Sequence, residues 1–278
     1  MRLNFVKMNP AGNTTIFIID YLPRKFHQII AGELMKHSSI CAEQVGYIEK
    51  PDADSALIRL QMMGGEFCGN ATRALAAYLV DTNYAGVGEG IKHGQSVKLP
   101  MEVSGYDGIL EATVCKKEQL NQLWAETIIP SPRQVLLNTL KINGQELIVP
   151  IVDLPGIKHV ILKGVKPAES VYWEILEQIG EPEALGIMFL DQDNHFMVPL
   201  VGVTAANSLV WESSCGSGTV ATAAVLADES NKSINNLTIK QPGGEVTVDL
   251  KFEDNNFTDA KIKGPVEFVA EGHVIVSF

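Results

Sequence analysis

Two segments built around a cysteine repeat each other about half the chain apart. They are Cys68-Gly69-Asn70-Ala71-Thr72-Arg73-Ala74-Leu75-Ala76-Ala77-Tyr78-Leu79 and Cys215-Gly216-Ser217-Gly218-Thr219-Val220-Ala221-Thr222-Ala223-Ala224-Val225-Leu226. Seven of the twelve aligned positions are identical. Each copy sets one thiol before a glycine-containing turn and a run of small residues at helical spacing. If the two halves face each other, one cleft receives two thiols and two helix N-termini. That arrangement suits removing a proton from one face of a carbon and returning it on the other.

The α-hydrogen of an amino acid held between two such helices is a very weak acid, so deprotonation needs charge stabilisation as well as a base. Backbone N–H groups at a helix start are unpaired and partially positive. Gly69-Asn70 and Gly216-Ser217-Gly218 leave room for a carboxylate to approach them, which favours the enediolate-like charge that builds as the proton leaves. The same ends are expected to lower both thiol pKa values. One thiolate serves one face only, so racemisation needs a thiolate on one side and a thiol on the other. Cys68 and Cys215 supply that pair, and pyridoxal phosphate is then unnecessary.

A single such motif reads as a buried, inert cysteine at the start of a packed helix. The duplication, which keeps the Cys-Gly-x-x-Thr turn, favours the chemical reading. No Cys-x-x-Cys is present for a dithiol redox site; a Cys68–Cys215 disulfide would be an oxidised, inactive form. Cys41 and Cys115 carry no motif and are expected to be small buried hydrophobes.

The elements that must position these residues are mostly strands. Met1 to Met8 alternates like a strand; Thr15 to Asp20, Ala56 to Met62, Val97 to Val103 and Gly108 to Val114 read as further strands. Phe26, Ile29, Ile30 and Leu34 fall at helical spacing. Asn143-Gly144 between Leu140-Lys141-Ile142 and Leu147-Ile148-Val149 signals a hairpin. A helix is expected from Val171 to Ile179, stopped by Gly180, and strands at Gly186 to Leu190 and Phe196 to Val203. The second thiol helix should run from Gly216 to Ala227, and Gln241-Pro242-Gly243-Gly244 should turn into a strand from Glu245 to Leu250. The last strand, His273 to Phe278, is apolar enough to be buried. These elements describe an α+β fold of two pseudo-symmetric β-rich lobes, each wrapped around a central helix. The lobes are expected at 1–118 and 119–267, with 268–278 returning to the first and the site in the cleft between them.

At 278 residues, a chain of 46% apolar and 20% charged composition is an ordinary globular one. A net charge of -11 without a basic patch argues against nucleic acid as a partner. The chain has no apolar run long enough for a membrane helix and its start lacks the features of a signal peptide, so a cytoplasmic location with reduced thiols is expected. The six histidines show no metal-ligand spacing, and no metal is expected. Gly86-Val87-Gly88-Glu89-Gly90 does not lie between a strand and a helix, so it reads as a connection rather than a nucleotide loop.

Phe5-Val6-Lys7-Met8-Asn9-Pro10-Ala11-Gly12-Asn13 and the two cysteine turns resemble the diaminopimelate epimerase fold, which includes proline racemases and phenazine-pathway isomerases. The chain is similar in particular to histidine racemases. That resemblance is carried also by Cys41-Ala42-Glu43-Gln44-Val45-Gly46-Tyr47-Ile48-Glu49, Gly65-Glu66-Phe67, Ser208 to Ser214 and Gln241-Pro242-Gly243-Gly244. It implies a racemase free of cofactors that interconverts L- and D-histidine, with a small amino acid as its ligand and a homodimer as its assembly. Diaminopimelate epimerases have a Glu-Arg pair before the second cysteine whose arginine grips a distal carboxylate; here Ala205 to Trp211 holds no cation, which disfavours diaminopimelate.

The resemblance also implies site roles. Glu43 would face the cleft and accept a hydrogen bond from the substrate imidazole; in a phenazine-type isomerase it would be the acid–base group. Asn13 would meet the substrate's backbone groups, with Gly69, Asn70, Gly216, Ser217 and Gly218 around the carboxylate. Glu212 would orient the second thiol or accept the ammonium group. His159 falls near a histidine that assists the thiols in diaminopimelate epimerases. Another racemase or isomerase of the fold, and a non-enzymatic binder of anionic metabolites, are the alternatives.

Overall fold

The structure is a computed structural model and describes residues 1–116, 123–204 and 208–277. The expected lobe boundary near Lys116 to Asn121 and part of the Ala205 to Trp211 stretch lie outside the described residues. The chain forms two compact units, residues 1–128 with 263–278 and residues 129–262.

The first unit contains β1 (Arg2–Asn9), β2 (Thr15–Ile18), α1 (His27–Met35), β3 (Gln44–Glu49), β4 (Ile58–Met62), α2 (Gly69–Asp81), β5 (Ser96–Val103), β6 (Ile109–Lys116) and β7 (Leu123–Ile128). The strands follow chain order as neighbours, with β2–β3 and β4–β5 parallel and the other pairs antiparallel. The C-terminal strand pairs with β1, Leu3 opposite Val274 and Phe5 opposite Gly272.

Period-two alternation sends the side chains of one strand into two cores. Val6 and Met8 of β1 join Leu60, Met62, Met101 and the apolar residues of α2, whereas Leu3 and Phe5 join Ile30 and Leu34 of α1 on the other face. Eleven of the thirteen α2 residues are buried. A helix buried nearly all round must be slim, and Gly69, Ala71, Ala74, Ala76 and Ala77 let strands close on it.

The second unit contains β8 (Gln134–Ile142), β9 (Gln145–Leu154), β10 (Ile157–Lys163), α3 (Glu169–Ile179), β11 (Ala184–Asp191), β12 (Phe196–Val203), β13 (Ser208–Trp211), α4 (Gly216–Ser230), β14 (Ile234–Gln241) and β15 (Gly244–Glu253), and β16 (Asn256–Ile275) begins in it. Asn143 and Gly144 both take positive φ, 50° and 78°, as the two-residue turn between β8 and β9 requires. Gly180 closes α3 at φ 79°, a conformation that glycine adopts without strain. Helix α3 packs Val171, Tyr172 and Ile175 with Leu140, Ile142, Val160 and Ile187. Helix α4 contacts β15, β9, β10 and β14 and buries all of its central turns.

Two expectations are corrected. The last strand is not buried through its length: Val276 packs with Leu3 and Phe5, but Ile275 is 75% exposed, because this strand alternates over a single covered face. Cys41 is exposed, since it sits in a left-handed turn (φ 55°) between α1 and β3, where its carbonyl accepts the Lys7 ammonium at 2.6 Å. Cys115 is half-buried on β6.

Candidate active site

Cys68 and Cys215 are the N-caps of α2 and α4. Both have extended backbones, φ/ψ −135°/109° and −122°/112°. Each sulfur accepts the amide N–H three residues on, from Ala71 and from Gly218, at 3.4 Å in both cases. The threonine of the repeat has a matching task. Thr72 Oγ1 donates to the Cys68 carbonyl at 2.8 Å and Thr219 Oγ1 to the Cys215 carbonyl at 2.7 Å. A helix start of this kind usually takes Ser, Thr, Asp or Asn. Cysteine instead leaves a polarisable thiol on the positive end of a helix.

The surroundings of the two thiols differ. Cys68 is half-buried and donates to Gln44 Oε1 at 3.0 Å. Gln44 Nε2 donates to Asn13 Oδ1 at 2.7 Å and Thr15 Oγ1 at 2.8 Å, and Asn13 Nδ2 donates to Glu43 Oε2 at 2.6 Å. Glu43, Asn13 and Gln44 are thereby joined to the first thiol in one chain of hydrogen bonds. Behind the thiol, Asn70 turns Oδ1 toward Arg73 Nη2 at 2.8 Å. The approach to Cys68 is clamped by Ser104, whose Oγ donates to the Glu66 carbonyl at 2.8 Å and accepts the Met62 N–H at 2.9 Å.

Cys215 is only 5% exposed. Its N–H donates to Gln241 Oε1 at 2.7 Å, and Gln241 Nε2 donates to Thr219 Oγ1 at 2.9 Å. The sulfur lies 3.5 Å from Ser217 Oγ, which lies 2.9 Å from His159 Nε2. Contrary to the expected lowering, the Cys215 pKa is pushed well above the ordinary thiol value, first by burial and then by the charge and hydrogen bond of Glu212. A neighbouring carboxylate and loss of water outweigh the helix end here. His159 is fully buried on β10, and burial lowers its pKa to about 3, so it stays neutral near pH 7.

The site residues named from sequence therefore fall into two groups. Asn13, Glu43, Gly69 and Asn70 gather with Cys68 in the first unit; Glu212, Gly216, Ser217 and Gly218 gather with Cys215 in the second. Gln44, Gln241 and Arg73 are additions that sequence reading missed. The Glu-Gln and Gln-Pro-Gly-Gly segments were visible in the sequence, but no local pattern said which thiol group each glutamine meets. All four cysteines are free thiols. Among the described residues no cluster of three or more His, Cys, Asp or Glu is placed to hold a metal ion, and no helix is long and apolar enough to cross a membrane.

Residues 2–275 match the family model described as the histidine racemase CntK N-terminal domain. The chain belongs to the histidine racemase family. It is 34% identical to the histidine racemase of Fusobacterium nucleatum subsp. nucleatum, covering 99% of this chain and 97% of that one. Identity to the histidine racemase of Staphylococcus aureus is 26%, over 99% and 98% of the two chains. Among solved structures, a probable proline racemase from Agrobacterium radiobacter K84 superimposes with a TM-score of 0.72 at 11% identity, over 99% of this chain and 93% of that one. The histidine racemase family member described here is thus an isomerase with the α+β fold of the racemases. In this racemase Gln44 meets the first sulfur itself, whereas Gln241 holds the backbone N–H of the second cysteine.

Proposed function

We propose that the protein interconverts L- and D-histidine by a two-base thiol mechanism that needs no pyridoxal phosphate. The observation that supports it best is the matched pair of sulfur N-caps, each held by an amide three residues on and a threonine hydroxyl four residues on. In this reading the substrate carboxylate meets the helix-start amides at Gly69 and Asn70 and at Gly216 and Ser217, where partial positive charge favours the enediolate. The Cys68 thiolate takes the α-proton and the electron pair left on Cα spreads into the carboxylate. The Cys215 thiol, held protonated by burial and Glu212, then delivers its proton to the opposite face. Cys68 ends as thiol and Cys215 as thiolate, the arrangement from which the reverse reaction starts.

Histidine as substrate is supported by the names of the relatives and by Glu43, whose carboxylate is fixed by Asn13 and suits an imidazole N–H. The family resemblance further suggests a homodimer, which sedimentation tests, and a cytoplasmic location, which cell fractionation tests. Chiral chromatography of L-histidine incubated with the protein, without added pyridoxal phosphate, tests the activity. D-histidine should form, and Cys68→Ser and Cys215→Ser should each slow it by about 10²-fold or more. Normal turnover by both variants would remove the two-thiol mechanism.

A further inference from the structure

Arg73 takes no part in the reaction as derived above, yet among the described residues it is the largest fully buried side chain, 0% exposed. It sits on α2 five residues after Cys68. Its side chain runs back along the helix, as helical side chains do, since Nη2 reaches Asn70 one turn toward the N-terminus. Nε and Nη1 have no hydrogen-bond partner, and among the described residues no carboxylate pairs with it. A guanidinium out of water without a counter-charge is heavily penalised, whereas an apolar side chain in the same core would not be. The ionisable group whose charge Arg73 feels is the Cys68 thiol at the N-cap of its own helix.

The second copy of the repeat sharpens the point. The position aligned with Arg73 is Val220, which is buried and apolar, and the thiol there has the Glu212 carboxylate beside it instead. One thiol thus has a cation behind it and the other an anion beside it. A pair of equivalent thiols would have no preferred thiolate; these two surroundings are not equivalent.

We propose that Arg73 is a positioning residue that keeps Cys68 as the thiolate of the resting enzyme, with Val220 and Glu212 leaving Cys215 as the thiol. The inference rests on reading Cys68 as an acid–base group. Gln44 from β3 touches the Cys68 sulfur and Asn13 links it to the Glu43 carboxylate; Glu66 lies two residues before Cys68, and burial raises its pKa, favouring the neutral acid. The Gln44 carbonyl favours the protonated thiol; Arg73 and the Ala71 N–H favour the thiolate.

The test is the pH profile of iodoacetamide alkylation at Cys68, read by peptide mass mapping so that the four cysteines are separated. In the unaltered protein Cys68 should titrate below the ordinary thiol value of about 8.5. Arg73→Lys should hold the midpoint low, and Arg73→Met should raise it by about one unit or more, a tenfold fall in alkylation at low pH. A wild-type midpoint at or above the ordinary value overturns the inference, and so does an unchanged midpoint in folded Arg73→Met. If Arg73→Met does not fold, the wild-type midpoint and the comparison of Arg73→Lys with Arg73→Gln decide it. Cys68→Ser separates the two levels: normal racemisation by that variant sinks the acid–base reading itself, whereas loss of racemisation with an ordinary Cys68 midpoint sinks only the role of Arg73.

Discussion

Gln44 Oε1 accepts the Cys68 S–H at 3.0 Å while its amide nitrogen donates to both Asn13 and Thr15. With both N–H bonds engaged, the amide can present only its oxygen to the sulfur. The thiol is therefore aimed by a side chain that is itself fixed. Gln44→Leu should lower kcat by about tenfold or more, equivalent to about 1.4 kcal/mol, and leave KM nearly unchanged. Steady-state kinetics checks this; a change confined to KM would make Gln44 a binding residue instead.

After burial, Glu212 raises the Cys215 pKa further by its charge and by accepting a hydrogen bond from the thiol. Glu212→Gln removes the charge, so the Cys215 titration should move down and alkylation at pH 8 should quicken. An unchanged Cys215 profile would mean that burial alone sets it.

His159 has a consequence for stability. Its folded pKa is about 3, below its ordinary 6.5. Between those values the unfolded chain binds one more proton than the folded one. Its share of stability is therefore complete above about 6.5 and is lost as pH falls toward 3, by up to about 1.4 kcal/mol per pH unit. Urea unfolding from pH 4 to 7 should show a shallower pH slope for His159→Gln than for the unaltered protein. Equal slopes would show that this histidine is not buried as a neutral ring.

Glu43→Gln keeps the shape of the group and an oxygen for Asn13, but gives up the charge. A charged hydrogen bond to an imidazole contributes about 1.5–3 kcal/mol, so KM for histidine should rise by roughly tenfold or more. Turnover of amino acids without an imidazole should change little. Equal losses on all substrates would move Glu43 from specificity to the chemical step.

Much of the fold was legible because its signals are local. The small residues of α2 and α4, the Asn143-Gly144 turn and the Gly180 stop all act within a few positions of themselves. The surroundings of the thiols were not, because they come from distant chain. Gln44 is 24 residues from Cys68, Gln241 is 26 from Cys215, and His159 is 58 from Ser217. The rise in the Cys215 pKa depends on how completely strands bury a helix start, which no spacing encodes. Arg73 was hidden for a related reason: an arginine among alanines reads as a solvent-facing position, and only the closed β-wrapping of α2 makes it a buried charge.

The central claim is that one thiol removes the α-proton and the other returns a different one. The direct measurement is early turnover of L-histidine in D2O, with both enantiomers separated and their Cα label read by mass spectrometry. Two thiols on opposite faces predict one deuterium at Cα of the D-histidine formed and none in the L-histidine recovered. Label entering recovered L-histidine as fast as product would contradict the account, because it would mean that a single base exchanges the proton on one face.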